Sequence, residues 1–418
     1  MSPASASGGG PAIRSRIWNR DFLLLWQGQL VSAAGDAAWQ IALGFWLLET
    51  TGSAAITGGV FAAGVLPRAL VAPLAGALAD RTSRRRILIA ADLLAGLVAA
   101  AVGLAALCGA LQVWMVLVAS GALGLAAAFF HPAAEALVPD LVPRRSLVRA
   151  NSSLAVVNSA ASLLGNGLGG ALFRLLGAGF LFVADGVSFL LSAISEAFIR
   201  DPGPAAPHDG APRPGVLADL REGLACAANK PGLRGLLAVT AVINFFGTAA
   251  MFLLLPMCQR SDLLGAVWYG AILGAFAAGG LAALALGSLT DLSRTRRFAA
   301  LVGCGALDGL AFALLPWAPW PAAMAALAAI VGFCTSVENM LLMSAMQAAV
   351  EDRLRGKLFG LRGSLVLGLV PLAMLAGGAA AERWDERVLI SIASAAVLLA
   401  FAFLVPFAAA RRLLDFDD

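Results

Sequence analysis

The residues of this 418-residue sequence that could do chemistry are charged side chains set inside long apolar runs. Asp36 falls near the middle of the run 22–48, and Arg68 falls deep in the run 56–79. Glu338, followed by Asn339, lies similarly deep in 321–348, within GFCTSVENMLL. An ionised side chain at the centre of a bilayer costs at least about 2.5–3.5 kcal/mol by insertion scales, so a chain that keeps one has a use for it. A carboxyl group at that depth can carry a proton, hold a sodium ion or meet a cationic ligand, and an arginine at the same depth can pair with it. Two readings of Asp36 and Arg68 stay open: a protonatable aspartate whose charge is tied to a change of conformation, or a permanent ion pair. Glu338 is read as a second proton carrier or as the partner of a cation, against a plain interhelical hydrogen bond. Glu135, Asp92, Asp185 and Asp308 also fall within apolar runs and rank below these.

Other chemistries lack their residues. The two histidines, His131 and His208, and the five cysteines show no metal-ligand spacing. No nucleophile constellation and no glycine-lysine phosphate loop is present, so neither an enzyme nor an ATP-driven machine is expected, and no cofactor or metal.

The elements that must position these groups follow from composition. Sixty per cent of residues are apolar, 13% are charged and the mean hydropathy is +0.86, a balance that cannot cover a water-soluble surface. The apolar residues fall into runs of roughly 20 or more, enough to cross a hydrocarbon core of about 30 Å as a helix. They lie near 22–48, 56–79, 87–108, 112–138, 150–174, 178–198, 235–257, 267–290, 298–316, 321–348, 359–380 and 388–409. The runs show no apolar-polar alternation, so an all-α membrane protein of twelve transmembrane helices in two pseudo-symmetric six-helix bundles is predicted, and a barrel is not. The opening MSPASASGGG is small and polar and the first run is longer than a signal h-region, so no cleavable signal is expected.

With the N-terminus inside, all but five of the 29 Lys and Arg fall in cytoplasmic segments; Arg174, Arg260, Arg383 and Arg387 lie outside and Arg68 within a span. Both termini are therefore expected in the cytoplasm. The excess of Arg then reports topology and contact with anionic lipid, and no nucleic acid partner is implied. The organisation expected is a tail (1–21), a first bundle (22–198), a cytoplasmic linker (199–234), a second bundle (235–410) and a short tail (411–418). The linker opens with the Pro-rich RDPGPAAPHDGAPRPG and ends in an amphipathic stretch suited to the membrane face.

One motif occurs twice. GALADRTSRRR (76–86) and GSLTDLSRTRR (287–297) stand half the chain apart, each in the turn between the second and third helix of its bundle, which makes the bundles parallel repeats. Gly76 permits close helix approach, and Asp80 can accept hydrogen bonds at a neighbouring helix N-terminus and pair with arginines.

On these residues the sequence resembles the major facilitator superfamily over nearly its whole length. Gly76, Asp80, Arg81, Arg84 and Arg85 match that superfamily's loop signature, with Ser83 replacing a usual glycine, and Gly287 and Asp291 carry the second copy. The resemblance implies a conformational latch that holds the outward-facing state and breaks when the protein opens inward. LVSAAGDAAWQIAL, LPRALVAPLAGALADR, VADGVSFLLSA and DRLRGKLFGL are similar to the drug-exporter branch with macrolide-efflux and enterobactin-exporter proteins. LLGNGLGGAL, with Gly165, Gly167, Gly169 and Gly170, resembles the glycine-rich antiporter motif, with Asn166 where proline is common. The resemblance implies proton-coupled efflux of a hydrophobic or amphipathic small molecule from the cytoplasmic membrane by a monomer, with protons, or sodium in their place, as coupling partner and lipid as surroundings. The first-span stretch also resembles lysophospholipid flippases, an alternative reading. A third is a sensor or scaffold that borrowed the fold, for which the intramembrane charges have no use.

Overall fold

The computed structural model describes residues 17–201, 222, 224–225, 228–289, 294–350 and 352–414. The tail up to residue 16, most of the linker with its expected amphipathic stretch, Asp291 and the last four residues lie outside the described residues. Every regular element among the described residues is helical. The chain runs through α1 (Arg20–Thr51), α2 (Ala54–Arg81), α3 (Arg84–Leu107) and α4 (Val113–Leu141). A helical stretch Leu147–Ala197 is interrupted at Gly177, whose φ of 77° and ψ of 168° are open to glycine alone. The break separates α5, residues 147–176, from α6, residues 178–197. Then come α7 (Pro231–Arg260), α8 (Gly265–Leu289), α9 (Arg294–Leu314), α10 (Pro321–Ala348), α11 (Asp352–Ala381), α12 (Glu386–Leu404) and α13 (Ala408–Leu414).

Local sequence sets the helix ends. Asn19, Ser53, Ser83 and Asp385 cap α1, α2, α3 and α12, each side-chain oxygen accepting from a first-turn backbone N–H. Pro231 and Pro321 open α7 and α10, where a missing N–H costs nothing. The twelfth predicted span, 388–409, is too long: α12 stops at Leu404, Pro406 sits in the turn that follows, and α13 begins at Ala408.

Among the described residues ten segments are long and apolar enough to cross a membrane. One of them, Arg149–Ala197, is the α5–α6 pair. Close contacts give its direction. Gly165 and Gly169 meet Ala37 and Ile41 of α1 in parallel order, whereas α6 meets α1 in reverse order, Asp185 at Gly35 and Ser192 at Gly28. The chain therefore turns back at Gly177. α1 misses the apolarity of the other spans because Gln27, Gln29, Ser32, Asp36 and Gln40 interrupt it, yet it packs along both α5 and α6. Large apolar side chains such as Leu97 (63% exposed), Leu175 (78%) and Leu399 (67%) cover the outside, as lipid-facing residues do. The protein is an integral membrane protein.

Helices α1–α6 pack with one another, as do α7–α12. Between the halves the main contacts are α2 with α11 and α5 with α8. Exchanging the halves (α2 for α8, α5 for α11) turns one contact into the other, which is the signature of two pseudo-symmetric bundles meeting about an axis along the membrane normal.

Candidate functional site

A cavity of about 700 Å³ lies between the halves. Its wall is mostly apolar and aromatic: Trp39 and Phe61 from the first half, Phe246, Phe252, Phe276 and Phe312 from the second. Trp39 contributes from α1, whereas Trp26, Trp46 and Phe245 are not among its lining residues. Charges are few. Asp36 from α1, Arg68 from α2 and His131 from α4 reach it from one side, and Asp308 from α9 from the other. Gln40, Asn166, Asn244, Thr335 and Asn339 add neutral hydrogen-bonding groups.

Of the two readings of Asp36 and Arg68, the ion pair is not formed here: among the described residues no salt bridge joins them. Both residues line the cavity, but the acidic charge acting on Arg68 is Glu135 of α4, with His131 on the same helix also beside the guanidinium. Asp36 instead has Asp92 and Asp185 as acidic neighbours, and His131 lines the cavity with it. In the second half Asp308, ranked low from sequence, reaches the cavity, where its Oδ1 accepts from Thr335 Oγ1 at 3.1 Å. Glu338 is 1% exposed behind it, with neither carboxyl oxygen hydrogen-bonded among the described residues. Asn339 lines the cavity, donates to Thr335 O at 3.0 Å and accepts from Arg362 at 3.2 Å.

One end of the cavity is sealed by backbone. A Cβ built on Gly170 of α5 would sit 1.8 Å from Ala266 O of α8, and one on Gly270 of α8 would sit 2.6 Å from Asn166 O of α5. The two helices thus exchange glycine–carbonyl contacts, a turn apart on each, which only missing side chains allow. Gly274 approaches Gly167 in the same seam. On the opposite side Gly58 of α2 meets Met374 O of α11, and Gly378 of α11 meets Ala54 O of α2. Of the four predicted crossing glycines, Gly165 and Gly169 face α1, Gly170 faces α8, and Gly167 has open space at its own Cβ position.

A polar clasp crosses the same end. Glu382, just past α11, accepts from Ser53 Oγ at 2.7 Å and from Ala55 N at 3.0 Å, at the start of α2. These hydrogen bonds, with Arg260 nearby, hold its carboxyl below the usual glutamate range.

At the arginine-rich end the halves part. Gly360, Gly363 and Gly368 of α11 have nothing within 4 Å of a built Cβ. Arg84 and Arg85, predicted as latch residues, here bind their own half. Arg84 donates to Ala136 O at 2.8 Å and pairs with Asp140 at the end of α4, while Arg85 donates to Glu196 O at 3.3 Å and to Ala197 O at the end of α6. Cations there complement the carbonyl ends of two helices. Gly76, Asp80 and Arg81 lie on the last turns of α2, their side chains outside the described residues, and Gly287 lies near the end of α8 beside Met340.

Two pseudo-symmetric helical bundles around a cavity closed at one end and open at the other form the architecture of a secondary transporter. The chain belongs to the Major Facilitator Superfamily, whose sequence pattern matches residues 25–372. It is thus a membrane transporter and not an enzyme. It is 30% identical to the multidrug efflux pump Tap of Mycolicibacterium fortuitum over 86% of this chain and 89% of that one. It is 29% identical to macrolide efflux protein A of Streptococcus pyogenes, a match spanning 57% of each chain. Solved folds agree. The POT family transporter PepTSo matches with a TM-score of 0.72 at 12% identity, covering 94% of this chain and 99% of that one. A bacterial homologue of the iron transporter ferroportin, in an inward-facing state, matches with a TM-score of 0.70 at 18% identity, covering 93% and 98%.

Proposed function

We propose that the protein exports hydrophobic or amphipathic small molecules across the cytoplasmic membrane in exchange for protons, by alternating access. In this reading α1–α12 make twelve crossings, both termini lie in the cytoplasm, and the arginine-rich end is cytoplasmic, so the structure is inward-facing. The cavity carries the reading: about 700 Å³ walled by aromatic side chains, with one carboxyl group from each half, Asp36 and Asp308. Such a wall suits a large apolar molecule, whereas a sugar or phosphate would want more hydrogen-bonding and cationic groups. The likeness to Tap along most of both chains supports efflux of this substrate class.

The test is reconstitution into proteoliposomes with an imposed pH gradient and a radiolabelled macrolide. Accumulation driven by the gradient, and its loss in Asp36→Asn with downhill exchange intact, is the expected result. Accumulation by the wild type that follows a sodium gradient and ignores pH would replace protons by sodium in the mechanism. A periplasmic signal from a reporter fused at residue 210 would sink the twelve-crossing topology.

A further inference from the structure

A second, smaller cavity lies inside the first half. It measures about 130 Å³, and Asp36, Asp92, His131, Gln29, Ser32 and Asn158 supply its polar lining. Asp36 and His131 line both this cavity and the central one, so they stand in the wall between them. The volume admits several waters, given that one needs about 10–15 Å³ of probe-occupied space.

From this cavity a row of polar side chains continues along α6. Asp185, Ser188, Ser192 and Glu196 fall at intervals of three, four and four residues, on one helical face. They span about 16 Å, roughly half a hydrocarbon core. α1 makes room for them. A Cβ on Gly35 would meet Asp185 Oδ1 at 2.4 Å and Ser188 Oγ at 2.6 Å, and one on Gly28 would meet Ser192 Oγ at 2.8 Å. Asp92 of α3 enters the row beside Ser192. The carboxyls are electrostatic neighbours in succession: Asp36 with Asp185 and Asp92, and Asp92 with Glu196.

These groups are buried and unsatisfied. Asp92 is 3% exposed, Asp185 1% and Glu196 1%, and Asp92 Oδ2, Asp185 Oδ2 and both Glu196 oxygens have no hydrogen-bond partner among the described residues. The carboxyls do not converge on a point: among the described residues no three His, Cys, Asp or Glu are grouped to hold a metal ion. A line of acidic groups strung through a bundle is a pathway and not a chelate. Of the other charged and titratable groups around the row, His131 of α4 lines the small cavity with Asp36 and Asp92, Arg68 lies on the central-cavity side with Glu135 near it, and Arg85 lies at the far end, where the guanidinium caps the carbonyls of Glu196 and Ala197.

We propose that Asp36, Asp92 and Glu196 form a lateral proton route through the first half, joining the central cavity to the arginine-capped end without using the cavity's own mouth. The proposal rests on the proton-coupled reading above and adds a path to it. A proton leaves the Asp36 carboxyl for Asp92, passes from Asp92 to Glu196, and is handed to water beside Arg85; at each step one O–H bond breaks and one forms. Water in the small cavity and the Ser192 hydroxyl bridge the gaps. The route gives Asp36 an exit for its proton while a bulky apolar molecule fills the central cavity and shuts water out of it. Loading of substrate and release of the proton can then occur on the same face together, as antiport requires.

Glu196→Gln keeps the size of the side chain and removes its proton carriage. In proteoliposomes, pH-driven accumulation by Glu196→Gln and by Asp92→Asn is expected to fall at least about tenfold, while downhill substrate exchange stays within about twofold of wild type. Substrate-induced proton release, read with a pH dye on the detergent-solubilised protein, is expected to slow in step, and Glu196→Asp to restore both. Full pH-driven accumulation by Glu196→Gln overturns the route and leaves proton coupling standing. Loss of exchange together with accumulation makes the row structural and also overturns it. A wild type indifferent to pH removes the coupling reading and this route with it.

Discussion

The two ends of α11 carry the same residue type in opposite circumstances. At the sealed end Gly378 presses against Ala54 O, whereas at the open end Gly360 has nothing within 4 Å of its Cβ position. Eighteen residues separate them, five helical turns, so they share one face. On α2, Gly58 meets Met374 O at the sealed end, and Gly76 of the repeated loop motif lies the same eighteen residues further on. Each helix therefore carries a glycine at both ends of one stripe, and on α11 only the sealed end is in contact. In the alternating-access reading proposed above, the open glycines of α11 would make contact when the arginine-rich end closes, which needs rigid helices rocking about the middle and little internal flexibility.

The tightest backbone contact gives the largest expected effect. Gly170→Val places a branched side chain where a Cβ alone would be 1.8 Å from Ala266 O, and backbone cannot yield as a side-chain tip can. Overpacking of this kind costs about 1–3 kcal/mol, which on a two-state balance is a shift of roughly five- to 150-fold away from the sealed form. Cysteine labelling from the sealed side should speed up accordingly, and unchanged labelling would show that the α5–α8 seam is not what holds this end.

Gly360→Leu tests the other end. It meets empty space in this state, so thermal stability should stay within about 0.5 kcal/mol of wild type. Transport should nonetheless fall at least about tenfold, because closure must bring another helix against that face. A variant that transports normally would break the parallel between the two ends.

Much of this was legible in the sequence, and the misses share a cause. Span positions and the depth of Asp36 followed from hydropathy and spacing, which report height along a helix, while the crossing glycines came from the resemblance to the glycine-rich antiporter motif. Which way a side chain points about the bundle is a different coordinate. Asp36 and Arg68 have matching depths, yet Arg68 answers to Glu135 and Asp36 to other aspartates. Glu338 and Asp308 both lie in spans, and only helix rotation decides that Asp308 reaches the cavity while Glu338 stays 1% exposed. Glu196 gave no signal because it sits at a span's end, where acidic residues are ordinary; that it is 1% exposed with Asp92 of α3 as its acidic neighbour is a matter of packing between helices. The repeated motif was visible, but the partners of Arg84 and Arg85, the carbonyl ends of α4 and α6, depend on where those helices end in the folded bundle.

The smallest effect belongs to Glu382, because it is exposed and its hydrogen bonds compete with water. Glu382→Ala removes the acceptor for Ser53 Oγ and Ala55 N and should loosen the sealed end by a factor of about two to five, read by the same labelling assay. Its pH dependence has a definite sign. Ser53 and Ala55 on α2 and Arg260 on α7 favour the carboxylate, while Glu386, at the start of α12, already pairs with Arg260. A carboxyl held below the ordinary value of 4.5 stabilises the sealed end fully above that value, and the contribution fades as pH falls below it. Labelling from the sealed side should therefore accelerate in wild type as pH drops below about 4.5, and Glu382→Ala should flatten that rise. If the acceleration persists in the variant, the acid sensitivity belongs to another group and the clasp is only a cap on α2.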